Sequence, residues 1–406
     1  MIELLAPAGN IEKLKIAFEY GADAAYLGWK KFSLRNLSGN FTTEELKFAK
    51  ELASKLGKKI YLTLNIYPYE DDLDEIYNLL LSLKDIEPDA LIVSDAGVVA
   101  LSQQIVPNIP IHLSTQANSS NHLSVNFWKN LGVKRVNLAR ELSLSDIKSI
   151  RERSDVELEV FIHGAMCMSI SGRCLLSNFL TGRASNKGEC THPCRWNYFI
   201  TEETRPDEYF PIFEDERGAY IFNSKDLCGI FYLPDLISMG IDSLKIEGRM
   251  KSLYYLANVV RVYRKAIDSY YQSKDTFKVK DEWLQELNAV SNRSYTNGFF
   301  ESRNTLGMQN LESSGYIRNF KFIGMVIQVN GNEMVVEARN KILKGDNCEI
   351  ISKDFFNMKF KFENIYNLEG EAIDFVQPMS KFIIKGDFSD IPPYSILRSL
   401  EISPTS

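Results

Sequence analysis

Apolar residues in the first part of the chain follow two rhythms that take turns. Short runs at Glu3–Pro7, Ala24–Gly28, Lys59–Asn65, Ala90–Ser94, Ile111–Thr115, Arg135–Ala139, Glu157–His163 and Ser243–Glu247 have the length and near-continuous apolar character of buried strands. Between them the segments Asn10–Tyr20, Thr43–Leu56, Leu73–Lys84, Ala96–Ile105, Ser119–Leu131 and Ser143–Arg153 space their apolar residues three and four apart, and several open on Asn, Thr, Asp or Ser, as amphipathic helices do. Strands separated by helices run parallel. Eight such units in about 250 residues predict an α/β fold, a (β/α)8 barrel of TIM type. No Gly-x-Gly-x-x-Gly follows the first strand, which argues against an open dinucleotide-binding sheet.

The alternation breaks between the seventh and eighth strands, where residues 164–242 hold most of the cysteines. Loops that follow barrel strands gather at the C-terminal face, so this cysteine-rich insertion is expected over the barrel mouth. After the long helix Tyr254–Tyr271, the turn-rich stretch Ser291–Gly298 begins an expected linker, 291–318. Beyond it the runs Ile323–Val329, Met334–Ala338, Cys348–Ile351 and Phe382–Ile384 alternate with turn residues, which predicts a small all-β, barrel-like domain over 319–406. The barrel is assigned to 1–290, and Cys348 to the core of the β domain.

Composition narrows the class. The 406 residues are 45% hydrophobic and 25% charged, enough to build a core and too apolar for a disordered chain. No run of apolar residues is long enough to span a membrane and no leader precedes the first strand, so a cytoplasmic protein without membrane contact is expected. The net charge of −6 does not attract nucleic acid, yet it hides two local reversals. Arg173, Arg183, Lys187 and Arg195 oppose only Glu189 (4 − 1 = +3), and Lys245, Arg249, Lys251, Arg261, Arg264 and Lys265 oppose only Glu247 (6 − 1 = +5). Arg261, Arg264 and Lys265 are read as a solvated helix face, whereas Lys245 and Arg249 end a strand and can hold phosphates or a dicarboxylate.

Five cysteines follow the spacing Cys167-x6-Cys174-x15-Cys190-x3-Cys194-x33-Cys228. Clustered thiols in a chain with no need of a disulfide framework point to an iron–sulfur cluster, to zinc or to a redox pair. The close Cys-x2-Cys pair of zinc ribbons is absent. Polar residues end other strands at the same predicted face. His163, Glu247 and Gln116 are the catalytic candidates there, and Arg140, Lys245, Arg249, Asn65 and Asn118 the substrate-binding ones. Asp95 and Asn118 also stand before helical patterns, where they would serve as caps.

The segment Glu159-Val-Phe-Ile-His-Gly-Ala-Met-Cys-Met-Ser-Ile-Ser-Gly-Arg-Cys-Leu-Leu-Ser177 resembles the signature of the peptidase U32 family at every specified position. Leu5-Ala-Pro-Ala-Gly9, Gly21-Ala-Asp-Ala-Ala-Tyr-Leu-Gly28, Ser114-Thr-Gln-Ala-Asn118 and Ser243-Leu-Lys-Ile-Glu-Gly-Arg249 extend the resemblance over most of the chain. It implies a [4Fe–4S] cluster on Cys167, Cys174, Cys190 and Cys228, with Cys194 as an alternative ligand. For the longer members with a C-terminal β domain it implies oxygen-independent hydroxylation of wobble uridine in tRNA to 5-hydroxyuridine, with the dicarboxylate prephenate as cosubstrate. Ribosomal RNA or a quinone precursor is the alternative substrate. The family's name implies proteolysis, but neither a His-Glu-x-x-His site nor a clear Cys–His pair is present.

Overall fold

The computed structural model describes residues 1–29, 40–166, 169, 174, 176–183, 189–191, 193, 200–202, 205–210, 214–215, 218–219, 225–302 and 320–400. The expected alternation is realised. Strands β1 (Glu3–Ala8), β2 (Ala24–Gly28), β3 (Lys59–Leu64), β4 (Ala90–Val93), β5 (Ile111–Leu113), β6 (Arg135–Asn137) and β7 (Glu157–Ala165) pair in sequence order, all parallel. Helices α1 (Ile11–Glu19), α2 (Thr43–Lys55), α3 (Leu73–Ser82), α4 (Ala96–Ile105), α5 (His122–Asn130) and α6 (Leu144–Arg151) lie between them. Each has its side-chain cap where the strand-to-helix loop ends, from Asn10, Thr42, Asp95, Asn121 and Ser143, except α3.

Within the cysteine-rich insertion, α7 (Leu176–Thr181) is followed by a short strand β8 (Asp226–Cys228) and α8 (Leu233–Ser238). The eighth barrel strand is β9 (Ser243–Ile246), which pairs with β7 through Ser243 and Glu159 and with β1 through Ser243 and Glu3. Those two pairings close the barrel. Inside it Leu5, Ala24, Tyr26, Tyr61, Ala90 and Ile92 pack together, while the opposite faces of the strands pack against the helices. At the N-terminal end of the lumen Glu3 accepts bonds from Tyr61 Oη (2.6 Å), Ser243 Oγ (3.1 Å) and Arg135 Nη1. No described helix is long and apolar enough to cross a membrane.

Residues 291–318, expected as a linker, begin instead as part of the barrel. Strand β10 (Tyr295–Thr296) pairs in parallel with β8, and Arg293 is buried. Local sequence shows only turn residues there, because the partner strand lies 69 positions earlier at Asp226.

From Phe320 onward the chain forms an eight-stranded antiparallel sheet, with Asn357–Lys361 at one edge and Ala372–Ile373 at the other. Its apolar core includes Cys348, as expected, with Val326, Val336, Phe362 and Phe382. This sheet docks on α9 (Leu253–Gln272) and α10 (Asp281–Ala289) through buried ions. Glu286 accepts from Arg398 Nη1 and Nη2, both at 2.8 Å, and pairs with Arg261 Nη2 at 2.7 Å. Arg398 Nε also reaches Glu349 at 2.8 Å, and Arg261 Nη1 donates to Ser352 O at 2.8 Å. Arg261, read from its sequence as solvated, is thus covered by the second domain; Arg264 pairs with Asp23 and Asp268, and Lys265 alone of the three is exposed. Periodicity marks the polar side of a helix, but not whether another domain covers it.

Burial works to raise the Glu286 carboxyl, but Arg398 and Arg261 hold it below the usual range. Removing one member of such a set leaves a buried cation unpaired, at a cost of about 3–5 kcal/mol. Glu286→Ala is expected to lower the urea midpoint accordingly and to split unfolding into two transitions, one per domain. Circular dichroism and tryptophan fluorescence followed along the same titration check this, and an unchanged single transition would contradict it.

Candidate functional site

At the C-terminal ends of the strands the polar residues converge around Gln116, in the 3-10 turn Thr115–Ala117 that follows β5. Its Oε1 accepts from Asn65 Nδ2 (3.0 Å), Ser114 Oγ (3.2 Å) and Ser94 Oγ (3.3 Å), and its backbone carbonyl accepts from Tyr67 Oη. Ser94 Oγ is also 3.2 Å from Asn65 O, so donors from Asn65 and Ser114 are the ones that fix the orientation of the carboxamide. Asn65 and Gln116 are therefore brought together as the sequence suggested. Asp95 caps α4 by accepting from Val98 N at 3.0 Å, also as expected. Asn118 does not cap: it takes a left-handed conformation (φ 57°), and Asn121 is the cap of α5. Asparagine tolerates that backbone better than other side chains, which is the physical use of the residue there.

The cations of the mouth are arranged unequally. Arg140, after β6, lays its guanidinium 3.8 Å from the centroid of the Phe161 ring and donates to Ala165 O at 2.9 Å. No carboxylate stands within ion-pair distance of it among the described residues. Arg249 is 3% exposed and donates to Thr63 Oγ1 at 3.3 Å. Lys245, expected as a substrate anchor, is engaged by Glu159 at 3.0 Å and lies 4.6 Å from the Tyr26 ring, so its charge is answered within the lumen. The Tyr26 hydroxyl lies between Ile246 O (3.0 Å) and the Glu247 carboxylate (3.2 Å), both able to accept its proton. Burial pushes the Tyr26 phenol upward and Glu247 adds to it, while Arg249 and Arg140 oppose, which puts all four groups in one electrostatic neighbourhood.

The cysteine side of the site is built on the far end of β7. This strand runs nine residues, long enough to carry β8 antiparallel beyond the barrel wall, with Cys228 opposite His163 and Leu227 opposite Gly164. Gly164 has φ +109°, and a Cβ there would lie 2.4 Å from Glu247 O; only glycine admits the approach. His163 is fully buried against Tyr255, Tyr263 and Tyr295, its Nδ1 3.2 Å from Tyr263 Oη, and burial pushes its pKa down to about 3. Cys228 Sγ is 4.0 Å from the same hydroxyl, and burial raises its thiol to about 11. A peptidase nucleophile needs the reverse shift.

Asp226, two residues before Cys228, fastens this strand. Its Oδ1 accepts from Arg293 Nη2 (2.8 Å) and Nε (3.1 Å), and Lys251 Nζ lies 3.5 Å from Oδ2. Although burial works to raise the carboxyl, Arg293 and Lys251 hold it below the usual range. Asp226, at the end of the run Asn223-Ser-Lys-Asp226 that also looks like a family feature, has no role readable from sequence, and Arg293, Tyr26 and Tyr67 are not among the site candidates; each acts through a partner far along the chain.

Of the proposed ligands, Cys174, Cys190 and Cys228 are described and form no disulfide, while Cys167 and Cys194 lie outside the described residues. The backbone N–H of Leu176 points at Cys174 Sγ at 3.4 Å, the kind of support that metal-bound thiolates receive. Soft sulfur donors suit iron–sulfur or zinc chemistry. Among the described residues alone, no three His, Cys, Asp or Glu side chains are gathered closely enough to hold a metal ion. Of the remaining histidines, His112 is buried against Tyr61 near the N-terminal end of the lumen, and His122 opens α5.

Known proteins resemble this chain in both of its domains. Residues 9–310 match the peptidase family U32 and residues 318–398 its C-terminal domain. The chain is 41% identical over 374 residues to tRNA hydroxylation protein P1 of Bacillus subtilis, covering 92% of this chain and 88% of that protein. It is 39% identical to tRNA hydroxylation protein P of Escherichia coli, covering 91% and 90%. The 23S rRNA 5-hydroxycytidine C2501 synthase of Escherichia coli is 30% identical over 87% of this chain and 53% of that protein. Both domains, in order and over nearly their whole length, thus place the chain in the peptidase U32 family.

Proposed function

We propose that this protein hydroxylates RNA, with the wobble uridine of tRNA as substrate and its C5 as the atom oxidised. What carries the reading is similarity along nine-tenths of the chain to proteins named for tRNA hydroxylation, joined to a cationic barrel mouth beside a cysteine-bearing strand. Wobble uridine lies in a single-stranded loop, so turning it out of its stack toward the mouth costs little. Cys167, Cys174, Cys190 and Cys228, with Cys194 as the alternative, would hold a [4Fe–4S] cluster, which supplies redox chemistry that side chains lack.

The chain's own residues divide the remaining work. Arg140 is the anchor for a carboxylate of a prephenate-like cosubstrate, because its fork is held over Phe161 with no carboxylate within ion-pair distance among the described residues. Arg249, tied to Thr63, adds positive potential beneath, and Gln116 presents a carboxamide of fixed orientation. Glu247, 3.2 Å from Tyr26 Oη, is the carboxylate placed to hold a proton at the mouth.

Two outcomes are expected. Mass spectrometry of tRNA from a strain lacking this protein will show unmodified wobble uridine, restored by the intact gene; unchanged 5-hydroxyuridine would remove tRNA as the substrate. Arg140→Ala removes charge-assisted bonds of about 1.5–3 kcal/mol, so the apparent KM for the carboxylate cosubstrate should rise roughly 10- to 150-fold with an unchanged fold. Steady-state kinetics on purified protein measures it.

A further inference from the structure

One polar side chain in the barrel lumen is used by nothing described so far. Arg135 and Asn137 lie two apart on β6 and share a face of the strand. Arg135 reaches Glu3 across the lumen and stands 5.5 Å from the Tyr61 ring, so Asn137 also projects inward, one step closer to the mouth. It is 2% exposed, and neither its Nδ2 nor its Oδ1 has a hydrogen-bond partner among the described residues. Its neighbours in the lumen are answered: Glu159 by Lys245 and Ser243, Thr63 by Leu27 O. A buried carboxamide with both groups unpaired is costly, and such a cost persists where a bound ligand repays it.

The surroundings define what that ligand must be. The cross-strand neighbour of Asn137 is Glu159, and two residues further toward the mouth Phe161 faces both Arg140 (3.8 Å) and Lys245 (5.5 Å). A ligand fitting this place is flat, to lie along an aromatic face. It presents a donor and an acceptor side by side, to pair with the carboxamide. The Watson–Crick edge of a pyrimidine has both features: in uracil, N3–H donates to Oδ1 and the neighbouring carbonyl accepts from Nδ2, the way carboxamide side chains read base edges. Binding by that edge leaves C5 outside the contact.

We infer that Asn137 pairs with the Watson–Crick edge of a pyrimidine base turned into the barrel and holds that base in place. The inference rests on the RNA reading above and names the contact that reading lacks.

The test is a cycle using an anticodon stem-loop RNA with uridine or an abasic site at the wobble position, bound to the intact protein and to Asn137→Leu. Leucine keeps the branching at Cγ and removes both unpaired groups, so its unfolding temperature should equal or exceed that of the parent. The parent should bind the uridine RNA 10- to 100-fold more tightly than the abasic one, and Asn137→Leu should erase the difference. Hydroxylation should fall by a similar factor, with iron content unchanged. If the variant discriminates as the parent does, or the parent does not discriminate, the inference is overturned. Should Asn137→Leu fail to fold, Asn137→Ser takes its place under the same criteria. Discrimination by a parent that leaves tRNA unmodified would refute hydroxylation while upholding base recognition.

Discussion

The architecture of the mouth depends on the buried carboxylate of Asp226. Two nitrogens of Arg293 close on one of its oxygens, and Lys251 approaches the other. Both Asp226 and Arg293 are almost completely buried, so neither charge is tolerable without the other. Their pairing binds three parts of the chain: β8, which carries Cys228; the loop after β9, which carries Lys251; and the segment before β10. A strand of three residues has little hold of its own. Fixed in this way, it lengthens the barrel sheet beyond β7 and presents a cysteine where an ordinary barrel would have only a loop.

The constraint also separates two environments that sequence alone had merged. His163 and Cys228 share a dry, tyrosine-lined space against α9, in which burial disfavours the charged form of each. Arg140, Arg249, Glu247 and Gln116 belong to the polar rim around the lumen. Tyr255 stands between them, its ring 6.0 Å from His163 and its hydroxyl bonded to Glu247 O at 3.0 Å. A thiol held neutral by apolar surroundings is poorly suited to nucleophilic attack, which weighs against proteolysis through Cys228. The same soft donor is well suited to a metal, whose charge would offset the burial.

The barrel was legible because buried parallel strands are nearly continuous apolar runs, and the capped helices between them carry a separate period. Predicted strand limits fall within two residues of the observed ones: Ala24–Gly28 coincides, and Glu157–His163 extends to Ala165. The site was legible as a set of strand ends, not as a set of contacts. Lys245 looked available because its partner Glu159 lies 86 positions away, and Asp226 had no readable role because Arg293 lies 67 away. Arg261 was misread for the same reason, since the domain that covers it comes later in the chain. Asn118 went astray differently: two asparagines stand within four residues, and only backbone geometry shows that Asn121 is the cap.

Net charge was the least informative quantity. An overall −6 coexists with a mouth in which Arg140 has no carboxylate within ion-pair distance among the described residues. Binding of an anionic substrate is decided at that scale. Under the proposed function, the strand fastened by Asp226 delivers Cys228 to an iron–sulfur cluster. Iron and acid-labile sulfide analysis of anaerobically purified protein, with its visible absorption spectrum and the Cys228→Ala variant alongside, tests it most directly. About four iron and four sulfide per chain, with broad visible absorption lost in the variant, is the predicted result; a colourless protein containing zinc, or a variant that keeps its full iron, would contradict it.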